Sequence, residues 1–349
     1  MTGNSLNSYL RSGLIAADKQ LVPVVKTIEV LAAAALDIRD LVNQGALGTA
    51  FAGTSGSSNA DGDTQKELDV VADNIFLNAA RNAPIGVYGS EELANPVVLD
   101  AEAPLALAID PLDGSSNIDT NVSIGTIFSI HRVSGELRKD PVASFLQPGS
   151  KQVAAGFFIY GPQLALVLTI GHGTQIFVHS EKLGGFIQAY QSVAVSEKTN
   201  EFAVNASNYR HWYEPVRLYM DDCFAGSSGP RERDFNMRWI ASLVADSYRI
   251  LIRGGVFLYP SDQRRGYGSG RLRLVYEANP IAFIMEQAGG AATNCVEPIM
   301  HIIPKDLHER VPFVFGSRKE VHNIIRYHTD PSMIGERAPL FGKRGLFRD

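Results

Sequence analysis

The sequence predicts an α/β protein built as two halves, and three observations carry that reading. Segments with apolar residues at helical spacing alternate with short β-branched and aromatic runs along most of the chain. The 349 residues suffice for two medium domains or one large α/β unit. The mixture divides near residues 195–205, where a cleft between the halves would offer a ligand site.

Residues 1–18 carry little pattern. Over residues 19–43, Leu21, Val24, Val25, Ile28, Leu31, Ala32, Ala35 and Leu36 recur at helical spacing, and Gly45 is a suitable stop. Residues 46–63 are rich in Gly, Ser and Asn and read as a mobile loop ending at Asp63. Residues 64–82 read as a helix with Leu68, Val71, Ile75, Phe76 and Ala79 inward and Asp69 beside the stripe. A short strand, Val87-Tyr88-Gly89-Ser90, ends in Glu91 and Glu92. Residues 105–109 form an apolar run that ends in Asp110, and Pro111 should stop the ladder there. Further strands are expected over residues 123–133, 153–160, 164–170 and 175–179, with a loop over 140–150. In the second half, helices are expected over 212–223, 238–253, 279–288 and 319–328, and strands over 256–259 and 272–276. Arg238 would then open a helix and Tyr259 end a strand.

Composition removes several classes of function. Hydrophobic residues make up 45% of the chain, which is ordinary for a globular core. The net charge is −5 and no segment is strongly basic, so neither nucleic acid nor an acidic membrane surface is expected as a partner. No apolar run reaches membrane-spanning length. The start, Met-Thr-Gly-Asn-Ser, lacks the basic region and apolar core of a secretory leader. Cys223 and Cys295 are the only cysteines and have no metal-type spacing, which fits a reduced, cytoplasmic setting.

The chemistry gathers around residues 108–117, Ala-Ile-Asp-Pro-Leu-Asp-Gly-Ser-Ser-Asn. Asp110 leaves the strand, and Asp113 follows after a tight turn. Gly114, Ser115, Ser116 and Asn117 then offer small side chains and a row of backbone N–H groups suited to an anion. Two carboxylates beside an anion cradle would repel a phosphate unless a cation lies between them. A hard divalent ion such as Mg²⁺, bound by carboxylates and phosphate oxygens, resolves the conflict.

The stretch Asp-Pro-Leu-Asp-Gly-Ser-Ser-Asn-Ile-Asp at 110–119 resembles the signature of the class I fructose-1,6-bisphosphatase family, within the metal-dependent, lithium-sensitive sugar and inositol phosphatases. The likeness runs from about residue 21 to 328. It implies a layered αβαβα sugar-phosphatase-type architecture. Residues 1–198 would be an N-terminal α/β half carrying the metal-binding signature, and 199–349 a sugar-phosphate-binding half. It implies hydrolysis of the 1-phosphate of fructose 1,6-bisphosphate, with two or three Mg²⁺ per site and Mn²⁺ or Zn²⁺ as substitutes. Glu91, Asp110, Asp113 and Glu277 would hold one metal, and Glu91, Asp110 and the Leu112 carbonyl a second. Asp63, delivered by its loop, joins the metal and catalytic set. Glu92, paired with Asp69, would take the proton of the attacking water. A Ser115 hydroxyl nucleophile is the rival. Asp113, Gly114, Ser115, Ser116 and Asn117 would hold the near phosphate and sugar. Asn205, Tyr209, Arg238, Tyr259 and Arg271 would grip the far phosphate, with Arg238 reaching in from a neighbouring subunit of a homotetramer. Arg273 could pair with Asp63 when the loop closes.

This sequence departs from the family pattern at several places. Arg271 stands where Lys is usual, and Trp239 and Asn208 where animal members have Tyr. Pro104-Leu105 replaces a Lys-Tyr pair of the animal AMP site, of which Arg132 alone remains, so AMP is expected to inhibit weakly or not at all. A dual enzyme that also takes sedoheptulose 1,7-bisphosphate is the close alternative, and an inositol or nucleotide phosphatase the distant one.

Overall fold

The computed structural model describes residues 4–11, 18–44, 62–137 and 139–330, and of residues 62–67 the backbone alone. Helix α1 (Val22–Asn43) starts with Pro23 in its first turn, where a missing N–H costs nothing. It buries Val24, Val25, Ile28, Leu31, Ala35 and Ile38. Helix α2 (Gly62–Ala80) buries Leu68, Ala72 and Phe76 in the same core.

Both helices lie on one face of an eight-stranded sheet. Its strands are β1 (Ile85–Ser90), β2 (Val97–Val98), β3 (Leu105–Asp113), β4 (Ile124–Arg132), β5 (Gln152–Tyr160), β6 (Leu164–Thr169), β7 (Thr174–Ser180) and β8 (Gly185–Val193). The spatial order is β2-β1-β3-β4-β5-β6-β7-β8, antiparallel except for the parallel β1–β3 pair. Side chains alternate between faces. Leu105, Leu107 and Ile109 of β3 meet α1 and α2, whereas Ala106 and Ala108 meet Phe145 and Tyr276 behind the sheet. Because both faces are covered, these strands read as continuous apolar runs although most pairs are antiparallel.

A second sheet joins β9 (Glu201–Ala203), β10 (Asn236–Met237), β11 (Val256–Tyr259), β13 (Ala291–Thr293) and β15 (Phe313–Gly316) in the order β10-β9-β11-β15-β13. A short ribbon pairs β12 (Leu272–Arg273) with β14 (Arg310–Val311). Helices α4 (Leu243–Arg253) and α5 (Asn279–Gln287) fill the space between the sheets. There Val244, Ile250, Ile281 and Met285 pack against Phe157 and Val167 on one side and Phe257 and Phe315 on the other. Helices α3 (Glu214–Ala225) and α6 (Arg318–Thr329) cover the outer face of the second sheet through Val216, Met220, Val321 and Ile324. The layers are therefore helix, sheet, helix, sheet, helix, the αβαβα order expected. Among the described residues no helix is long and apolar enough to cross a membrane.

Several local expectations are corrected. Pro111 does not end β3: the strand runs to Asp113, and the ladder with β4 shifts register between Asp110 and Asp113. Residues 274–276 are not strand; Leu274–Ala278 is a π-helical turn leading into α5. Arg238 does not open a helix, because it follows β10 and α4 begins only at Leu243. Gly62 and Asp63 belong to the start of α2 rather than to a loop, while the preceding loop, residues 46–61, and the tail beyond 330 lie outside the described residues. Strand β8, an edge strand with Gln188, Tyr190 and Gln191, was not expected, nor were β9, β10, β13, β14 and β15.

One ion cluster fixes the outer layer. Glu320, in the first turn of α6, is fully buried. It accepts from the Arg231 guanidinium at 2.7 Å and the Tyr219 hydroxyl at 3.1 Å, and it also pairs with Arg233. Removing one member of such a cluster leaves the others desolvated and unmatched. Replacing Glu320 by Ala should lower stability by about 3–5 kcal/mol in chemical denaturation. A loss under about 1 kcal/mol would show that water already screens the pair.

Candidate active site

The site is built on an irregularity in β3. Asp110 pairs with Ile127, and the ladder resumes with Asp113 opposite Gly125, so β3 holds one residue more than β4 over this stretch. Residues three apart on a regular strand face opposite ways; one extra residue returns Asp113 to the side of Asp110. Pro111 fits the bulge because it has no N–H to leave unpaired. Its carbonyl accepts from the Thr126 hydroxyl at 2.8 Å, and that hydroxyl also bonds the Tyr160 hydroxyl at 2.8 Å. Asp110 Oδ1 accepts from the Leu112 N–H at 3.1 Å. Gly125 makes room for the neighbouring layer, since a Cβ there would lie 2.2 Å from the Phe158 carbonyl and 2.6 Å from Val244. Helix α4 can thus approach, and its Val244 N–H donates to Asp113 Oδ2 at 3.1 Å.

Glu277 arrives from the second half. It sits in the π-helical turn, a wide turn common at functional sites, and accepts from the Arg273 N–H at 2.5 Å. Asp110, Asp113 and Glu277 are all buried and each offers an oxygen within 4.8 Å of the others. Glu91 stands beside them at the end of β1, with its N–H donated to the Ile109 carbonyl at 3.1 Å. Its Oε1 accepts from Arg273 Nε at 3.1 Å. Arg273 is bonded to Glu91 and to the His308 carbonyl at 3.0 Å; the Asp63 side chain, its expected partner on loop closure, lies outside the described residues.

The electrostatics follow from this crowding. Burial, then the charge of Glu91, pushes the Asp110 carboxyl well above its usual range, with Asp113 and Glu277 adding to the effect. Burial raises Asp113 to about 7, against the opposing bond from Val244. Glu277 is raised by burial and by Glu91 and Asp113. A buried all-oxygen set of this kind, whose members repel one another, fits a hard divalent cation. Among the described residues, the cluster holds carboxylates only.

A second acidic pair lies at the edge of this nest. Glu92 is raised to about 7, chiefly by desolvation and then by Asp69 and Glu91. Asp69 is raised to about 6, also by burial first, and its Oδ2 accepts from the Ser115 hydroxyl at 3.3 Å. The signature turn closes as a short 3₁₀ helix, Ser115–Asn117, after Gly114 at φ 77°. Its hydrogen bonds run from Asn117 N–H to Gly114 and from Ile118 N–H to Ser115. The Ser115 and Ser116 amides are the leading N–H groups of that turn, the ones a helix start leaves for an anion.

The residues expected at the far phosphate are placed unevenly. Tyr259 shares its surroundings with Arg271, Tyr267, Arg264 and Glu277, whose charges act on its hydroxyl. The Arg271 guanidinium lies over the Tyr267 ring at 4.4 Å, as does that of Arg264 at 4.0 Å. Asn205 caps the turn Ala206–His211, and its oxygen is taken up by Ser207. The Tyr209 hydroxyl donates to Asp221 on α3 at 2.7 Å. Arg238 is exposed at the sheet edge, with Nη1 donating to the Met237 carbonyl at 3.1 Å and Nε 3.8 Å from Glu201. Thr126, Tyr160 and Asp246 were missed by sequence reading; each lies inside an ordinary strand or helix pattern, and no local motif marks it.

Comparison with known proteins agrees with this geometry. Residues 16–191 match the family model for the fructose-1-6-bisphosphatase N-terminal domain, and residues 195–329 that for the C-terminal domain. The chain is 65% identical over 348 residues to fructose-1,6-bisphosphatase class 1 of Rhizobium meliloti (strain 1021), covering 100% of each chain. It is 48% identical to the class 1 enzyme of Rhodopseudomonas palustris (strain HaA2), over 99% of each. Among solved structures, the holo form of Leishmania major fructose-1,6-bisphosphatase superposes with a TM-score of 0.83 at 28% identity, covering 94% of this chain and 100% of that one. The bulged acidic strand, the signature turn and these likenesses agree, and the chain belongs to the class 1 fructose-1,6-bisphosphatase family.

Proposed function

We propose that this site hydrolyses the 1-phosphate ester of D-fructose 1,6-bisphosphate, releasing fructose 6-phosphate and phosphate by direct attack of water. The observation that carries the reading is the buried trio Asp110, Asp113 and Glu277 beside the Ser115–Asn117 turn. Glu91, Asp110, Asp113 and Glu277 would hold one divalent ion, and Glu91, Asp110 and the Leu112 carbonyl another, with Mg²⁺ the natural choice for oxygen ligands. Asp63 belongs to the same set in this reading. When bound, the ions supply Lewis acidity and charge neutralisation at the phosphoryl oxygens.

The chain's own groups do the rest. The Ser115 and Ser116 amides hold the phosphoryl group in line, and Gly114 and Asn117 shape that cradle. Glu92 accepts the proton of the attacking water. Asp69 sits beside it, and the two titrate as a coupled pair near neutrality. The Ser115 hydroxyl donates to Asp69, which suits a positioning role rather than a nucleophile. Tyr259 and Arg271, with Asn205 and Tyr209, bind the far phosphate. Arg238, exposed just after the edge strand β10, does so across a subunit boundary in a homotetramer. The proposed halves, 1–198 and 199–349, divide between the last strand of the first sheet and the first of the second. The cytoplasm is the proposed compartment, in keeping with two buried thiols and no metal-type cysteine spacing.

Replacing Glu92 by Gln should cut kcat by about 10²–10⁴-fold and leave fructose 6-phosphate binding intact. Unchanged phosphate release would remove Glu92 from the role of base.

Chelation should stop turnover, and Mg²⁺ should restore it. With Asp113 at about 7 and Asp110 and Glu277 also raised, the chelated folded protein holds protons above pH 4 that the unfolded chain has lost. Its stability therefore falls as pH climbs from about 4 to 7, while Mg²⁺ affinity rises as the protons leave. The gap in denaturation midpoint between Mg²⁺-loaded and chelated protein should widen from pH 6 to pH 8. A gap that narrows would refute the acidic nest as the metal site.

A further inference from the structure

The turn that joins β10 to α4 is folded around one buried carboxylate. Asp246, in the first turn of α4, is 1% exposed. Its oxygens accept from the Ile240 N–H at 3.2 and 3.4 Å, and the Ala241 and Ser242 amides also face it. Ala241 is held at φ 67°, a left-handed conformation that a side chain disfavours. The signature region grips the same turn from the other side. Asn117 Nδ2 donates to the Ala241 carbonyl at 2.8 Å, and Asp113 Oδ2 accepts from Val244 N–H at 3.1 Å. Upstream, the turn leads to Trp239, stacked on Phe257 at 5.6 Å and 6.4 Å from Tyr259, and then to Arg238. One short turn thus links the near-phosphate cradle to the far-phosphate grip.

Resting on the far-phosphate reading of Arg238 and Tyr259 above, we infer that Asp246 is a positioning residue that fixes the spacing between the two phosphate grips. It touches neither substrate nor metal ligand in this role. It acts by holding three successive amides inward, which keeps Trp239 stacked on Phe257 and Arg238 at a set distance from Asp113. A sugar carrying phosphates at both ends is selected by that spacing, whereas a single phosphate needs only the cradle.

Two product inhibitors separate the grips: fructose 6-phosphate reports the far one and inorganic phosphate the near one. Asp246→Asn, which turns an NH₂ group toward the inward amides, should raise the inhibition constant of fructose 6-phosphate tenfold or more. That of inorganic phosphate should stay within twofold and kcat within threefold. A merely structural role would move both constants together, and that result, or no change in either, overturns the inference. Arg238→Ala is run in parallel. If it raises the fructose 6-phosphate constant and Asp246→Asn does not, the inference fails alone. If Arg238→Ala leaves that constant unchanged, the far-phosphate reading fails and the inference with it. Should Asp246→Asn not fold, hydrogen exchange on the unmutated protein decides. The Ile240, Ala241 and Ser242 amides should exchange at least a hundredfold more slowly than in a free peptide, and unprotected exchange overturns the inference.

Discussion

The constraint from which the rest follows is the repulsion among Asp110, Asp113 and Glu277. Two unit charges at the 4.8 Å limit of this cluster repel by about 3 kcal/mol at an effective dielectric of about 20. Three such pairs approach about 10 kcal/mol, comparable to the whole stability of a typical domain. The cluster therefore cannot stand fully ionised and alone: it must hold protons or cations. Arg273 pairs with Glu91 and also donates its N–H to Glu277, but one cation at the edge of the nest offsets only part of this repulsion. A site with this built-in deficit of positive charge is poised for a divalent ion and, through it, for an anionic substrate that the acidic chain would otherwise repel.

Holding such a cluster together requires a scaffold that does not yield. Asp110 and Asp113 lie on a strand buried along its whole length between two helical layers. The bulge that brings them to one side is tied by Thr126 and Tyr160 from the next two strands. Glu277 is presented by a helical turn whose partners α5 and β5 share one core. His308 bonds the Leu93 carbonyl at 3.1 Å and its own carbonyl receives Arg273, so the Glu91–Glu92 corner is latched to the second half. The halves meet through packed side chains, and the site is stitched across that contact from both sides.

Much of this was legible in the sequence, because the strongest local signals coincide with the largest tertiary commitments. The stripes of α1 and α2 and the apolar runs of β3 to β6 are where burial is deepest. The signature residues are legible because turn chemistry, acidity and small side chains fall together. What escaped reading was decided by contacts distant in sequence. Pro111 reads as a strand end, yet a bulge absorbs it. Leu274, Val275 and Tyr276 look like a strand, yet they form a buried π turn that runs on into α5, with Val275 and Tyr276 packed in one cluster with Ala106, Ala108 and Phe145 of the first half. Trp239 and Ile240 fit the helical period of α4, but the carboxylate of Asp246 competes for the Ile240 amide and delays the helix to Leu243. Strand β8 is an edge strand with polar residues facing out, so its period carries little apolar contrast.

The acidic residues also divide by environment, and the proposed mechanism uses that division. Asp110, Asp113 and Glu277, the carboxylates proposed to face the metal, are buried, and burial raises all three well above the usual carboxylate range. Glu92 and Asp69 lie at the rim, where partial desolvation and mutual charge bring them to about 7 and about 6. Raised that far, Glu92 is a stronger base than an ordinary carboxylate and yet remains substantially ionised near neutral pH. A deeper position would keep it protonated, and a more open one would leave it too weak to accept the proton. The strand ends at Ser90, where β1 leaves the sheet and consecutive residues can both turn toward the nest, which suits the proposal that Glu91 is a ligand and its neighbour Glu92 the base.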